Sequence, residues 1–89
     1  MKQLSLDNLR TFVSVIELGG YAKAGDFLGR SQPAISLQIK KLESQLDRKL
    51  FIKLGQRHVP SADGNWLYAK AKELLELNDS IFRSLTPAP

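Results

Sequence analysis

A chain of 89 residues, 43% hydrophobic and 25% charged, has the size and balance of one small soluble domain, which buries a little over ~60% of its unfolded surface. It has no cysteine, which excludes disulfides and thiolate metal sites and suits a reducing cytoplasm, and it has neither a signal-peptide core nor an apolar run of membrane-spanning length. The net charge of +4 is concentrated: between residues 30 and 60, Arg30, Lys40, Lys41, Arg48, Lys49, Lys53 and Arg57 stand against only Glu43 and Asp47, a pattern shared by phosphate-binding surfaces and by solvated basic faces.

The first helix is expected from about Ser5 to Leu18. Ser5 can cap it, Asp7 suits the positive end of its dipole, and Gly19-Gly20 stops it. Leu6, Leu9, Phe12, Val13 and Ile16 recur at helical spacing and define its core face. A short second helix, Tyr21 to Leu28, puts Tyr21, Ala24 and Leu28 on one face and keeps Ala24 and Gly25 small for a close crossing. Gly29 ends it by taking a left-handed conformation. The third helix starts after Ser31 as N-cap, with Pro33 tolerated in its first turn. Its apolar stripe is Ile35, Ile39, Leu42 and Leu46, and its outer face carries Gln32, Ser36, Leu37, Lys40 and Lys41. A short helix, a tight turn and a longer helix with a polar, basic outer face make the helix-turn-helix pattern.

The segment KLFIKLGQRHVPS reads as a two-stranded hairpin: Leu50, Phe51 and Ile52 form one strand, His58 and Val59 the return, and Gly55-Gln56 the turn, with Pro60 closing the ladder. Lys53, Arg57 and His58 near its tip suit a wing lying along DNA. The last helix should run from Ser61 or Ala62 to about Leu85. Leu67, Ala71, Leu74, Asn78, Ile81 and Leu85 alternate spacings of four and three, and Tyr68, Leu75 and Phe82 form a second stripe. Two apolar faces exceed what one small core covers, so one face is assigned to the domain and the seam to a partner helix, with Asn78 setting register; the alternative is one broad stripe on a monomer core. The fold expected is mainly α: three helices and a small wing in a winged helix-turn-helix, followed by a long dimerisation helix. Residues 1–60 would bind DNA, 61–85 dimerise, and 86–89 form a flexible tail.

The segments LRTFVSVIELGGYAKAG, SQPAISLQIKKLE, LFIK and SADG, in this order, resemble the LysR-type transcriptional regulator family over nearly the whole chain. SQPAIS followed by Ile39 and Leu42-Glu43 at fixed spacing is the most specific part. The resemblance implies a winged helix-turn-helix, a linker helix making an antiparallel dimer contact, and binding to an interrupted dyad bounded by T and A. It also implies a larger effector-binding domain in the parent protein, absent from these 89 residues, through which a small-molecule effector and any higher oligomer would act. Gln32, Pro33 and Ser36 match the residues that approach base edges, and Arg57 the basic wing residue of the minor groove. Four positions depart from the family pattern. Leu37 stands where arginine is usual, so it either touches a thymine methyl or shifts the preferred sequence. Lys53 replaces arginine and loses its bidentate fork. Asp47 replaces a glycine and must tolerate a left-handed conformation. Gly25 replaces an alanine, costing the second helix somewhat less than ~1 kcal/mol.

In mechanism, Gln32 can hydrogen-bond adenine, Ser36 several bases, and Pro33 and Leu37 can meet methyls, while Arg30, Ser31, Lys40, Lys41, Lys53 and His58 face the backbone. Arg57 would favour a narrow A·T-rich minor groove. The partners expected are double-stranded DNA and a second copy of the chain, with no membrane and no cofactor. No nucleophile–base pair, phosphate loop or metal-ligand spacing marks an enzyme, and His58 has no carboxylate cluster beside it. A protein-interaction module that docks a partner through the last helix is the competing class. RNA binding is disfavoured because Trp66 and Tyr68 are assigned to packing.

Overall fold

A computed structural model describes residues 2–86, so of the expected tail only Thr86 falls within the described residues. Its elements are α1 (Leu6–Leu18), α2 (Tyr21–Leu28), α3 (Gln32–Leu46), β1 (Phe51–Leu54), β2 (Arg57–Pro60) and α4 (Ala62–Leu85). Three of the four helices begin on a serine whose hydroxyl accepts a backbone N–H three residues on: Ser5 from Asn8, Ser31 from Ala34 and Ser61 from Gly64. Each such cap satisfies one of the orphan donors of a first turn, and its loss costs about 1 kcal/mol. Helix ends are set as locally: Gly19 and Gly29 take positive φ, and so does Asp47 (φ 52°), which closes α3 in the role expected of it.

Helix α1 is the centre of the domain, packed against α2, α3 and α4. Leu9, Phe12 and Val13 lie inside as expected, whereas Leu6 is exposed and Ile16 only half-buried. Thr11 and Val15, outside the predicted stripe, are fully buried. A helix touched on three sides buries a wider arc than one amphipathic stripe, which explains both differences. Ile35, Ile39 and Leu42 of α3 and Leu67, Ala71 and Leu75 of α4 complete the core from either side. Each large aliphatic or aromatic side chain so buried contributes about 1.5–3 kcal/mol before entropy is set against it.

Two close approaches lock these pieces. A Cβ on Gly25 would lie 2.6 Å from the Arg30 carbonyl oxygen, so the helix propensity given up at Gly25 accompanies a tight fit of the α2–α3 turn onto α2. At Gly64 a Cβ would overlap the Leu50 carbonyl. There Ser61 N–H donates to Leu50 O (2.9 Å) and Ser61 Oγ donates to Lys49 O (2.6 Å). At the other end of that segment Glu43 Oε2 accepts the Leu50 N–H at 2.8 Å, tying α3 to the start of the hairpin.

The hairpin pairs Phe51 with Pro60, Ile52 with Val59, Lys53 with His58 and Leu54 with Arg57, leaving Gly55 (φ 62°) and Gln56 as its turn. Leu50, expected in the first strand, precedes it and is buried. Along α4 the predicted seam divides. Leu67 and Ala71, expected at a partner helix, are buried in the chain's own core, while Leu74, Ile81 and Leu85 are exposed and Asn78 is half-buried. Of the second stripe Leu75 is buried, Tyr68 half-buried and Phe82 exposed. Trp66, assigned to packing, is instead 64% exposed with the Lys70 ammonium 5.8 Å from its ring centre, so α4 presents exposed aromatic rings at Trp66 and Phe82. No described helix is long and apolar enough to cross a membrane.

Candidate nucleic-acid interface

The turn between α2 and α3 and the wing converge on one surface. Gln32 and Pro33 open α3 at its exposed N-terminal end, and one turn later Ser36, Leu37 and Lys40 continue the same outward side. Tyr21, Gln32, Pro33, Ser36, Lys40 and His58 together line a shallow concavity between the helix and the hairpin. Thus the expected base-contact residues Gln32, Pro33 and Ser36 meet His58 of the wing. Leu37 is 55% exposed, so its side chain has no core role and is presented outward. Ser31, expected at the backbone, is exposed, but its hydroxyl is engaged in capping α3.

Aromatic packing holds the wing in place, and sequence reasoning missed it. The His58 ring stacks on Tyr21 (centroids 4.7 Å apart, 14° between planes), Tyr21 meets Phe51 edge-on at 5.8 Å, and Phe51 meets Phe12 edge-on at 5.5 Å. Phe12 is fully buried, so a continuous series of rings joins the wing to the core. Such pairs add about 0.5–1.5 kcal/mol each beyond area burial. Burial, and then the nearby Glu43 carboxylate, raise the Tyr21 pKa, which keeps that ring neutral. The strand pairing puts Lys53 beside His58 and Arg57 beside Leu54 at the tip, where all four are exposed.

The cations fall into two groups. Arg10 pairs with Asp79, Arg30 with Asp7, Arg48 with Asp63, Lys70 with Glu73, Lys72 with Glu17 and Arg83 with Glu76. Among the described residues Lys2, Lys23, Lys40, Lys41, Lys49, Lys53 and Arg57 take part in no ion pair and are exposed. The cations of α1 and α4 are thus all paired, and of the seven unpaired ones Lys40, Lys41, Lys53 and Arg57 lie on α3 and the wing, the elements that carry Gln32, Ser36 and His58. Arg30, expected against a phosphate, turns inward instead: its Nη1 donates to Thr11 Oγ1 and Gln38 Oε1, and its Nη2 to Asp7 Oδ1, all at 2.9 Å. That hydrogen bond to Arg30 holds the Asp7 carboxyl below its ordinary pKa against the opposing effect of desolvation. Among the described residues no cluster of histidine and carboxylate side chains could hold a metal ion.

Residues 6–65 match the description of bacterial regulatory helix-turn-helix proteins of the lysR family. The chain belongs to this family. It is a family of regulators rather than enzymes, and similar curated proteins are named accordingly. The HTH-type transcriptional regulator PecT of Dickeya dadantii is 35% identical over 82 residues, covering 92% of this chain and 26% of PecT. AbaB of Streptomyces antibioticus, also an HTH-type transcriptional regulator, is 40% identical over 73 residues, covering 82% of this chain and 24% of AbaB. The LysR-type chain thus spans about a quarter of the length of the curated relatives it matches. Among solved structures, the BenM DBD in complex with catB site 1 DNA superposes with a TM-score of 0.85 and 30% identity, covering 96% of this chain and 99% of that one. The CbnR DBD in complex with DNA gives 0.82 and 32%, covering 90% and 93%. The oxidised form of Corynebacterium glutamicum OxyR gives 0.87 and 27%, covering 97% of this chain and 28% of OxyR.

Proposed function

We propose that this LysR-type domain binds double-stranded DNA sequence-specifically as a homodimer, in the cytoplasm, and recognises an interrupted dyad. The observation that carries the reading is the coincidence of unpaired cations and outward-facing hydrogen-bonding side chains on one surface of α3 and the wing. The likeness to the BenM and CbnR domains in their DNA complexes supports it. In this reading the N-terminal turn of α3 enters the major groove. Gln32 pairs with adenine, Ser36 donates to or accepts from a base edge, and Pro33 and Leu37 lie against thymine methyls. Lys40, Lys41 and Lys53 hold phosphates and fix the register, and His58, packed on Tyr21, lies near the backbone. Arg57 at the wing tip reaches a minor groove narrowed by A·T pairs.

The exposed Leu74, Leu77, Ile81 and Leu85 of α4 supply the apolar surface for the second copy, with Asn78 beside them. This contact is shifted from the one the heptad spacing suggested, because Leu67 and Ala71 are already used inside the domain. Two half-sites in successive major grooves then follow from dimer symmetry, about one to two helical turns apart.

Selection from a randomised duplex library, with nonspecific competitor at moderate salt, tests the reading. Recovery of an interrupted dyad supports it, and the half-sites report what Leu37 prefers. Recovery of no motif, with binding that disappears as salt rises, would replace it by a protein-interaction module with only phosphate attraction.

A further inference from the structure

Beneath the outer face of α3 lies a polar network that groove contact by itself does not require. Thr11 is fully buried, and its hydroxyl donates to Gln38 Oε1 at 3.0 Å while accepting from Arg30 Nη1 at 2.9 Å. Arg30 Nη1 also donates to Gln38 Oε1. Gln38 Nε2 donates to Asp7 Oδ2 and to Asn8 Oδ1, both at 2.9 Å. The Gln38 amide therefore has two acceptor bonds and two donor bonds, its full capacity, which leaves it one orientation. It sits on α3 between Leu37, which faces out, and Ile39, which is in the core. Arg30 is anchored at its other end as well, since its backbone N–H donates to Gly25 O at 2.9 Å. One guanidinium thus joins the α2–α3 turn, α1 and the middle of α3.

We propose that Arg30 is a positioning residue: acting through Thr11 and Gln38, it sets the orientation of α3 on α1 and hence the sequence discrimination of that helix, without contacting a phosphate itself. The inference rests on the DNA-binding reading above. The planar guanidinium is needed because three acceptors on two helices are reached from fixed directions, which a lysine ammonium on a flexible stem does not reproduce. The charge of Arg30 is set against that of Asp7, so the pair adds little to the general attraction for DNA. A phosphate contact and a positioning role therefore predict opposite outcomes when the charge is kept and the fork removed.

The test uses the 89-residue chain, Arg30→Lys and Thr11→Val, each with its melting curve recorded. Each is titrated across a salt series onto the duplex recovered by selection and onto a scrambled duplex of equal length. The expected result is a fall of about tenfold in the selected-to-scrambled affinity ratio for both variants, the scale of one or two lost hydrogen bonds. The salt slope on the scrambled duplex should not change. Thr11 is buried and cannot touch DNA, so its effect can reach the interface only through the network. Should Thr11→Val fail to fold, Arg30→Lys decides alone, because it retains the charge and the aliphatic stem. An Arg30→Lys chain that keeps the wild-type ratio overturns the inference. So does an Arg30→Gln chain whose slope drops by about 0.9 per subunit while both duplexes weaken alike. Wild-type protein that does not distinguish the two duplexes would instead remove the DNA-binding reading, and this inference with it.

Discussion

Replacing Gly64 by alanine should destabilise the domain by about 2 kcal/mol, although helix propensity alone favours alanine by up to ~1 kcal/mol. The reason is the seat of α4 on the segment that leads into the wing. A Cβ at Gly64 would stand 3.1 Å from the Leu50 carbonyl carbon and overlap its oxygen, and both are backbone atoms that no rotamer change can move. Relief requires the first turn of α4 to back away from Leu50. That movement stretches the Ser61 N–H bond to Leu50 O and the Ser61 hydroxyl bond to Lys49 O, each worth about 1 kcal/mol. It also loosens Leu50 and Leu67 in the core, within the range of about 1–3 kcal/mol typical of overpacking. Because the two bonds are stretched rather than broken, setting the propensity gain against these losses leaves a net figure of about 2 kcal/mol, the low end of their sum. At ~4–8 °C per kcal/mol for a domain of this size, the melting temperature should fall by roughly 10 °C. Thermal unfolding followed by far-ultraviolet circular dichroism measures it directly. A Gly64→Ala chain that melts at or above the wild-type temperature would falsify the close-approach argument.

Further outcomes follow from other contacts. Glu43→Ala removes the acceptor of the Leu50 N–H and should cost about 1–2 kcal/mol, read as a lower urea midpoint with an unchanged slope; an unshifted midpoint would mean that water replaces the carboxylate without loss. Leu77→Asp combined with Ile81→Asp should leave the melting curve of the dilute monomer nearly unchanged, since both side chains are mostly exposed, but abolish self-association in sedimentation; persistence of a dimer would place its interface elsewhere. Lys40→Glu should weaken selected and scrambled duplexes together and reduce the salt slope, and indifference to it would take α3 out of the interface. Three carboxyls have folded pKa values below ordinary: Asp7 beside Arg30, Glu17 beside Tyr68 and Lys72, and Asp79 beside Arg10. Their contribution is complete above the ordinary values of 3.8 and 4.5 and is lost as pH falls through the depressed folded values. Melting temperature should therefore decline on acidification below about pH 4, and Asp79→Asn should flatten that decline; a melting temperature independent of acid would contradict the assignment.

Much of the architecture depends on interactions short in sequence and is legible there. Ser5, Ser31 and Ser61 cap helices through N–H groups three residues away, Gly19 and Gly29 end them, and Gly55 turns the hairpin. Asp47 accepts a left-handed conformation where only local geometry is at stake. The order of these signals, with SQPAIS at the start of α3, carried the family assignment and most of the proposed interface, because Gln32, Pro33, Ser36 and Lys40 lie within nine residues of one helix.

What tertiary structure alone decided concerns residues whose partners are far away in the chain. Periodicity reports apolar stripes but not what covers them, so it could not show that α1, surrounded on three sides, buries Thr11 and Val15 as well, nor that Leu67 and Ala71 pack in the core rather than against a second copy. A cation reads the same in sequence whether it faces a phosphate or a carboxylate. Only the folded arrangement shows Arg30 turned toward Asp7, Thr11 and Gln38 while Lys40, Lys53 and Arg57 remain unpaired among the described residues. The stacking of His58 on Tyr21, 37 positions apart, is of the same kind. Local sequence determines which elements form and where they stop; which face of each element is left exposed and unpaired is set by long-range packing, because burial and ion pairing are properties of neighbours in space.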